Sequence, residues 1–106
     1  MTAFLIIRST VPEEHREAFD HWYETEHLPD ALKAFKPVSA RRGWSDSEPG
    51  IHVAMIEVDT LERARATVGG DIPEAIRGMI AEYDRVWQGR VTRTRELVGI
   101  SQRLDP

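Results

Sequence analysis

Residues 20–30 read DHWYETEHLPD, and they bring Trp22, Tyr23, two histidines, two glutamates and a proline together within about three helical turns. No other segment of the sequence combines titratable and aromatic side chains at this density. We therefore expect any functional site of the protein to include this segment.

The segment closes a predicted first helix that begins at Thr10. Thr10 and Glu13 have the spacing of a capping box, in which the threonine hydroxyl accepts from the glutamate amide. Pro12 falls in the first turn, where the missing amide hydrogen is not needed. Pro29 pushes the residue before it out of the α region, so we expect the helix to end or kink there. His27 would then lie in the last turn, and a short helical segment over residues 29–35 would follow.

The helical period predicts which side chains of this helix are buried. At about 3.6 residues per turn, the face that packs on the core carries Ala18, Phe19, Trp22 and Glu26. Tyr23 and His27 lie on the flank of that face. Glu26 is therefore a carboxylate on an otherwise apolar stripe.

Four strands are predicted, over residues 3–8, 38–45, 51–59 and 90–102. The first and third are apolar at nearly every position, which is typical of strands buried on both faces. The second and third should pair antiparallel across a turn at residues 47–50. Gly43 in the second strand indicates a bulge or a close approach of another backbone.

Two further helices lie between the third and fourth strands. Asp59 and Glu62 cap a short helix that stops at Gly69 and Gly70. Asp71 and Glu74 cap the next helix, which ends near Gly89. Its apolar side chains recur every three or four residues, the clearest amphipathic pattern in the chain, at Ile72, Ile76, Met79, Ile80, Tyr83, Val86 and Trp87.

The order β-α-β-β-α-β predicts an α+β fold, a ferredoxin-like sandwich with a four-stranded antiparallel sheet and helices on one face. At 106 residues the chain is predicted to form a single domain over residues 1–106. Helices on one face leave the other face of apolar strands uncovered. We expect a second copy of the chain to cover it in a two-fold homodimer, with Trp44 or the C-terminal strand contributing to the contact.

Composition argues against several classes of protein. A net charge of −4 without a basic stripe argues against a nucleic-acid partner. The longest apolar run, residues 3–7, is too short to cross a membrane, and no signal-peptide pattern precedes it. The chain has no cysteine, which excludes thiolate chemistry and fits a cytoplasmic location. No phosphate-binding loop, dinucleotide fingerprint or recognisable serine nucleophile is present.

The block from Trp22 to Pro29, WYETEHLP, closes the first helix of a β-α-β-β-α-β chain of this length. In this it resembles the dimeric α/β-barrel superfamily, and most closely its EthD-like branch, in which a first helix carrying aromatic residues ends in a His-x-Pro motif. The resemblance implies two sheets that close into a barrel across a dimer, with a pocket in each subunit between sheet and helices. The superfamily includes cofactor-independent monooxygenases of phenolic polyketides, muconolactone isomerases, haem-handling enzymes and chains of unknown role. The motif match carries over to His27, with Pro29 as its structural companion, and Asp30 departs from the larger apolar residue common after it.

The candidate catalytic residues are His27, Glu26 and Tyr23. An imidazole at a pocket edge can give or take a proton near neutral pH, and the competing interpretation of His27 is a cap on the free carbonyls of a helix end. Glu26 is either a buried general base with a raised pKa or one half of an ion pair with Arg41 or Arg42.

The candidate substrate-binding residues are Trp22, His52 and Arg42. Trp22 and Tyr23 could stack on a planar ligand, although their spacing from Phe19 favours core packing. His52 lies within the third strand, where it either faces the pocket and meets His27 or is simply exposed or hydrogen-bonded.

Arg93 and Arg95 share one face of the last strand. They could hold a substrate carboxylate, or act as edge arginines that discourage aggregation. The spacing of His15, His21 and His27 does not match a zinc helix, so no metal is predicted, and no cofactor.

These patterns predict a small homodimeric enzyme of EthD-like type that binds a compact apolar, aromatic or lactone-like molecule. The chemistry would be isomerisation, or deprotonation of the substrate before oxygen attack. The alternative is a non-catalytic ligand-binding or stress-response module with the same fold. Haem handling is a third hypothesis, and it requires a histidine directed into a large cavity.

Overall fold

A computed structural model describes residues 1–69 and 72–106, and its centre is one antiparallel sheet in the order β2-β3-β1-β4. The strands are β1 (Ala3–Thr10), β2 (Ser39–Trp44), β3 (Ile51–Val58) and β4 (Thr92–Gly99). β1 pairs with both β3 and β4, and β2 pairs with β3. The predicted ferredoxin-like α+β fold is confirmed, as is the antiparallel pairing of β2 with β3.

Between β1 and β2 the chain forms one continuous helical segment. It comprises a 3₁₀ turn (Glu13–His15), α1 (Arg16–Trp22), a π-helical turn (Tyr23–His27) and α2 (Leu28–Phe35). Leu28 keeps α-helical dihedral angles, and its amide donates to the carbonyl of Tyr23, five residues earlier. The prediction that Pro29 displaces Leu28 and ends the helix is therefore wrong. A proline ring crowds the carbonyl four residues before it, and the wider turn that precedes Pro29 accommodates this without a break.

The π-helical turn changes which side chains the segment buries. Phe19, Trp22, Tyr23 and His27 are buried, whereas Glu26 is exposed. The period of a regular helix had placed Glu26 on the core face and His27 on its flank, and that assignment is wrong. The extra residue in the turn brings His27 to the position that Glu26 was expected to occupy.

The second half of the chain supplies α3 (Leu61–Arg65) and α4 (Glu74–Trp87). With α1 and α2 they pack on one face of the sheet and enclose two groups of buried side chains. The first group is mostly aliphatic and includes Leu5, Phe35, Ile56, Val58 and Ile76. The second is mostly aromatic and includes Phe19, Trp22, Tyr23, Tyr83 and Trp87. The predicted amphipathic helix over the last third of the chain is confirmed.

Several predicted caps and one predicted bulge are wrong. Thr10 belongs to β1, and the 3₁₀ turn after it has no side-chain cap. Thr60 rather than Asp59 caps α3, because its hydroxyl accepts from the Arg63 amide. The glycine expected to bulge, Gly43, pairs in regular register with Val53, and a Cβ there would meet no atom within 4 Å.

The caps predicted for the last helix also differ. Pro73 is the N-cap residue of α4, without a side-chain hydrogen bond, and Asp71, like Gly70, lies outside the described residues. β4 begins later than predicted because the amides of Arg90 and Val91 donate to the carbonyl of Trp87 and complete the end of α4.

The other face of the sheet carries no helix in the described part of the chain. Its apolar side chains are half-buried, at Phe4, Ile6, Val53, Met55 and Val98. The strands are thus fully covered on one face only within a single chain. Trp44 pairs with His52 and packs on the helix-covered face, so the prediction that Trp44 contributes to the contact through the open face is wrong. Among the described residues, no helix is long and apolar enough to span a membrane.

Candidate functional site

A cavity lies between the sheet and the helices α2 and α4. Its enclosed volume is about 30 Å³, which is room for about two water molecules. Three charged or titratable side chains line it, those of His27, Arg93 and Arg95. Most of the remaining wall is apolar and comes from both strands and helices, at Leu5, Ile7, Phe35, Ile76, Met79 and Ile80.

His27 reaches the cavity from the π-helical turn. Its imidazole stacks on the indole of Trp22, with ring centroids 4.4 Å apart and planes 19° apart, and meets the edge of Tyr23 at 4.8 Å. No other described residue hydrogen-bonds to the ring. The helix continues past His27, so the interpretation of this residue as a cap on a helix end is wrong.

The imidazole of His27 is neutral at pH 7. Burial, followed by the charge of Arg93, lowers the pKa of His27 from 6.5 to about 4. A neutral imidazole offers one N–H donor and one nitrogen lone pair. His27 can therefore accept a proton from a bound molecule, although its pKa in the free protein is well below the neutral value expected from sequence.

Tyr23 is buried beside His27 and is not among the residues that line the cavity. Burial raises the pKa of the Tyr23 hydroxyl above its ordinary value. Tyr23 therefore stays protonated near neutral pH, and its ring separates His27 from His52, whose centroid is 4.4 Å away.

His52 points to the helix-covered face but belongs to a second polar cluster. Its side chain is completely buried, with Nε2 3.3 Å from Nη1 of Arg42 and no partner for Nδ1. Burial, followed by the Arg42 charge, lowers the pKa of His52 from 6.5 to about 4. His52 therefore does not meet His27 in the cavity, and the expectation that it is exposed is also wrong.

Asp20 organises this second cluster, and sequence reasoning gave it no role. One carboxylate oxygen, Oδ1, accepts from Nη1 of Arg42 at 2.7 Å and from Nε1 of Trp44 at 2.8 Å. These hydrogen bonds, first that of Arg42 and then that of Trp44, lower the pKa of Asp20. The only sequence signal was an aspartate one turn before the aromatic pair, facing a strand that carries arginine and tryptophan.

Glu26 and Arg42 are not brought to the cavity. Arg42 pairs with Asp20 and, at 3.9 Å, with Glu24. The predicted ion pair of Glu26 with Arg41 or Arg42 is thus not among the described contacts. Of the six candidate residues, the structure joins His27, Trp22 and Tyr23 at the cavity, and places Arg42 and His52 in the neighbouring cluster.

Arg93 is the second functional side chain of the cavity. It lies opposite Ser9 in the sheet, with its guanidinium 3.9 Å from the ring centroid of Tyr83 and Nη2 3.3 Å from Oδ1 of Asp84. The Tyr83 hydroxyl is 3.0 Å from the buried Ser9 hydroxyl. Arg95, two residues along β4, lies on the same face. Their alternation was visible in the sequence, but the role of edge arginines was preferred there.

A surface groove between α2 and α4 leads towards the cavity. It has a volume of about 400 Å³ and shares Met79 with the cavity wall. Gly78 and Glu82 also line it, and the charge of Glu82 acts on His27. The flexible thioether of Met79 separates the two spaces, so rotation of this side chain would join them.

The cavity does not fit every ligand considered. A space for about two waters is far too small for a haem macrocycle, so the haem hypothesis is not supported by this cavity. In the described part of the chain, no three histidine, aspartate or glutamate side chains are grouped to hold a metal ion.

The fold and this site define a ferredoxin-like protein with a compact cavity between sheet and helices. Among solved structures, the chain is similar to an EthD family protein from Bacillus halodurans, with a TM-score of 0.69 and 16% identity over 91% of this chain and 97% of that one. It is also similar to HapK from Hahella chejuensis, with a TM-score of 0.65 and 12% identity over 100% and 99% of the two chains.

A third similar structure is a candidate antibiotic biosynthesis monooxygenase from Deinococcus radiodurans, with a TM-score of 0.64 and 10% identity over 98% and 99% of the chains. No protein-family model and no curated protein sequence matches the chain. At these identities the comparisons show the fold, and they confirm the resemblance to the EthD-like and antibiotic biosynthesis monooxygenase structures of the dimeric α/β-barrel type.

Proposed function

We propose that this protein is a small homodimeric enzyme that performs acid/base chemistry on a compact apolar or aromatic metabolite in the His27 cavity. One observation carries the proposal: a neutral imidazole without a protein hydrogen-bond partner among the described residues lines an otherwise largely apolar cavity. Buried polar groups normally have partners, and a bound molecule would supply one here.

The residues of the cavity suggest how a proton would move. The free ring nitrogen of His27 accepts a proton from an acidic C–H or O–H bond of the substrate, leaving an enolate or phenolate. The positive charges of Arg93 and Arg95 stabilise that anion in surroundings of low polarity. Trp22 fixes the plane of the imidazole by stacking and thereby orients the nitrogen.

Two reactions share this first step. In an isomerisation, the imidazolium returns the proton to a different carbon of the same substrate. In a cofactor-independent oxygenation, dioxygen attacks the carbanion, a CH₂ group becomes a carbonyl, and the second oxygen atom leaves as water. In both cases His27 gives back the proton that it took.

The homodimer is proposed from the open face of the sheet. Half-buried Phe4, Ile6, Val53, Met55 and Val98 form a contiguous apolar surface there, which a second copy of the chain would remove from water. A cytoplasmic location is proposed from the absence of cysteine in the sequence.

Turnover assays with matched histidine variants test the enzyme proposal. Wild type, His27→Gln and His21→Gln would be given a panel of phenols, hydroquinones and unsaturated lactones, following oxygen consumption and ultraviolet absorbance. His21 is exposed on the same helical segment and serves as the control. We expect turnover in wild type and in His21→Gln, with a loss of about 100-fold or more in His27→Gln. Equal rates in wild type and His27→Gln would contradict a catalytic role for His27.

A non-catalytic ligand-binding module is the second candidate function. The lowered pKa of His27, about 4, favours it, because general bases work best with a pKa near the operating pH. Saturable binding of a panel compound at His27 without turnover of any compound would favour the module over the enzyme.

A further inference from the structure

The charges in the cavity are unbalanced. Arg93 and Arg95 both line it, and each guanidinium is permanently positive. Arg93 has one carboxylate partner, Asp84, whose side chain is 57% exposed. Arg95 forms no ion pair with any residue in the described part of the chain. The cavity therefore carries at least one positive charge without a compensating carboxylate.

The setting makes that imbalance costly in the free protein. The Arg93 side chain is only 15% exposed, and burial together with the nearby charge of Arg95 lowers the pKa of Arg93. Two like charges beside aliphatic side chains repel each other more strongly than they would in water. An anion placed between them would relieve this repulsion and gain charge-assisted hydrogen bonds.

The other contacts available in the cavity define what kind of anion would fit. The imidazole N–H of His27 is a third donor, and the walls of Leu5, Ile7 and Ile80 offer only apolar contacts. A ligand should therefore combine one anionic head with a small hydrocarbon body. The enclosed space of about 30 Å³ admits only a compact molecule, and a larger body must displace Met79 towards the groove between α2 and α4.

We propose that the His27 cavity binds compact monocarboxylates, with the carboxylate between Arg93 and Arg95 and the hydrocarbon part against α4. This deepens the proposed function and rests on it for the location of the site. It names the substrate class as a small apolar carboxylic acid. The two arginines hold the substrate, and His27 stays free to act on the hydrocarbon part.

Binding of such an anion also changes His27. The charged or titratable groups that act on its ring are Arg93, His52 and Glu82, with Arg95 beside Arg93 in the same cavity. A carboxylate between the arginines offsets their field, so the pKa of His27 rises towards neutrality when the ligand is bound. The substrate would thereby adjust its own general base.

Calorimetric titration with matched pairs of acids and amides tests the proposal. The probes are propionate, isobutyrate and benzoate, each compared with its neutral amide, and the histidine ring protons are followed by NMR in parallel. We expect saturable binding of at least one acid, movement of the His27 signals, and binding of the matching amide weaker by about tenfold or more.

Two arginine variants locate the carboxylate. Arg95→Gln removes an exposed guanidinium that makes no described ion pair, so the variant should fold, and we expect it to bind the acid about tenfold less tightly. Arg77→Gln, an exposed arginine of α4 that does not line the cavity, should bind like wild type. Equal binding of acid and amide, unchanged binding in Arg95→Gln, or no binding of any acid would overturn the proposal.

The outcomes separate this proposal from the proposed function. If an acid binds at Arg95 and moves the His27 signals but no compound is turned over, the carboxylate site stands and the enzyme does not. If neutral phenols or lactones are turned over through His27 while acids do not bind, the enzyme stands and the carboxylate site does not.

Discussion

Trp22 and His27 are five residues apart and stack face to face, with ring centroids separated by 4.4 Å. On a regular α-helix of about 3.6 residues per turn, residues five apart point about 140° away from each other. The π-helical turn of residues Tyr23–His27 removes this difference. The stack that orients the candidate base therefore depends on one extra residue in the turn.

Loss of the indole should change the environment of His27 before it unfolds the protein. In Trp22→Leu, the imidazole loses the aromatic ring above it but the site remains apolar. We expect the His27 ring protons to move downfield in the NMR spectrum, and the free energy of unfolding to fall by about 1–3 kcal/mol. Urea denaturation measures the second quantity. Unchanged His27 shifts would show that the rings do not stack in solution.

The pH dependence of stability should report the two buried histidines. The pKa values of His27 and His52 are 6.5 in the unfolded chain and about 4 in the folded protein. Between these values the unfolded chain binds more protons, so the stabilising contribution is complete above pH 6.5 and is lost as the pH falls towards 4. Each ring accounts for a loss on the order of 3 kcal/mol when fully protonated.

Urea denaturation at about pH 7.5 and about pH 4.5 isolates the contribution of His27. The loss of stability between the two pH values should be smaller in His27→Gln than in wild type, by on the order of 2 kcal/mol. His21→Gln, which removes an exposed imidazole, should lose as much as wild type. If His27→Gln and wild type lose the same amount, His27 is not a buried neutral base.

How much was predictable from sequence differs between the elements and the site. The apolar runs of β1 and β3 and the regular period of α4 indicated those elements, because each pattern is local and belongs to a single secondary structure. The π-helical turn was not predictable from the period. It follows from the proline after it and from the packing of Trp22, Tyr23 and His27, and it exchanged the buried and exposed roles of Glu26 and His27.

The cavity depends on contacts distant in sequence. Arg93 reaches His27 only because β4 pairs with β1, which lies more than 80 residues earlier in the chain. Asp20 likewise acquires its role from Arg42 and Trp44 on a strand that folds against it. Residue type and spacing pointed to His27 and Trp22, but no local pattern pointed to their partners.

A charge on the open face of the sheet should separate the proposed dimer. Ile6 pairs with Met55 at the middle of that face, and a glutamate at position 6 would be buried without a partner in the interface. Light scattering should give the mass of two chains for wild type and of one chain for Ile6→Glu. Leu32→Glu, on the exposed side of α2, should remain dimeric. A monomeric wild type at micromolar concentration would contradict the dimer.

Two glycines should respond in opposite ways to the same substitution. Gly78 lies in α4, and a Cβ there would meet nothing within 4 Å, so Gly78→Ala should stabilise the protein by about 0.5–1 kcal/mol. Gly89 has a φ of +79° with equally open space, so Gly89→Ala should destabilise it by about 1 kcal/mol. Urea denaturation measures both. Destabilisation by Gly78→Ala would show that a bare helix surface is needed along the groove.

The account rests on His27 as a neutral base exposed to a ligand cavity, and an NMR titration of the histidine ring protons tests this directly. Assignment by comparison with His27→Ala would be followed by titration alone and with the best ligand of the panel. We predict a His27 midpoint near 4 in the free protein and displacement of its signals by the ligand. A midpoint near 6.5, equal to that of exposed His21, with no ligand moving the signal, would contradict the account.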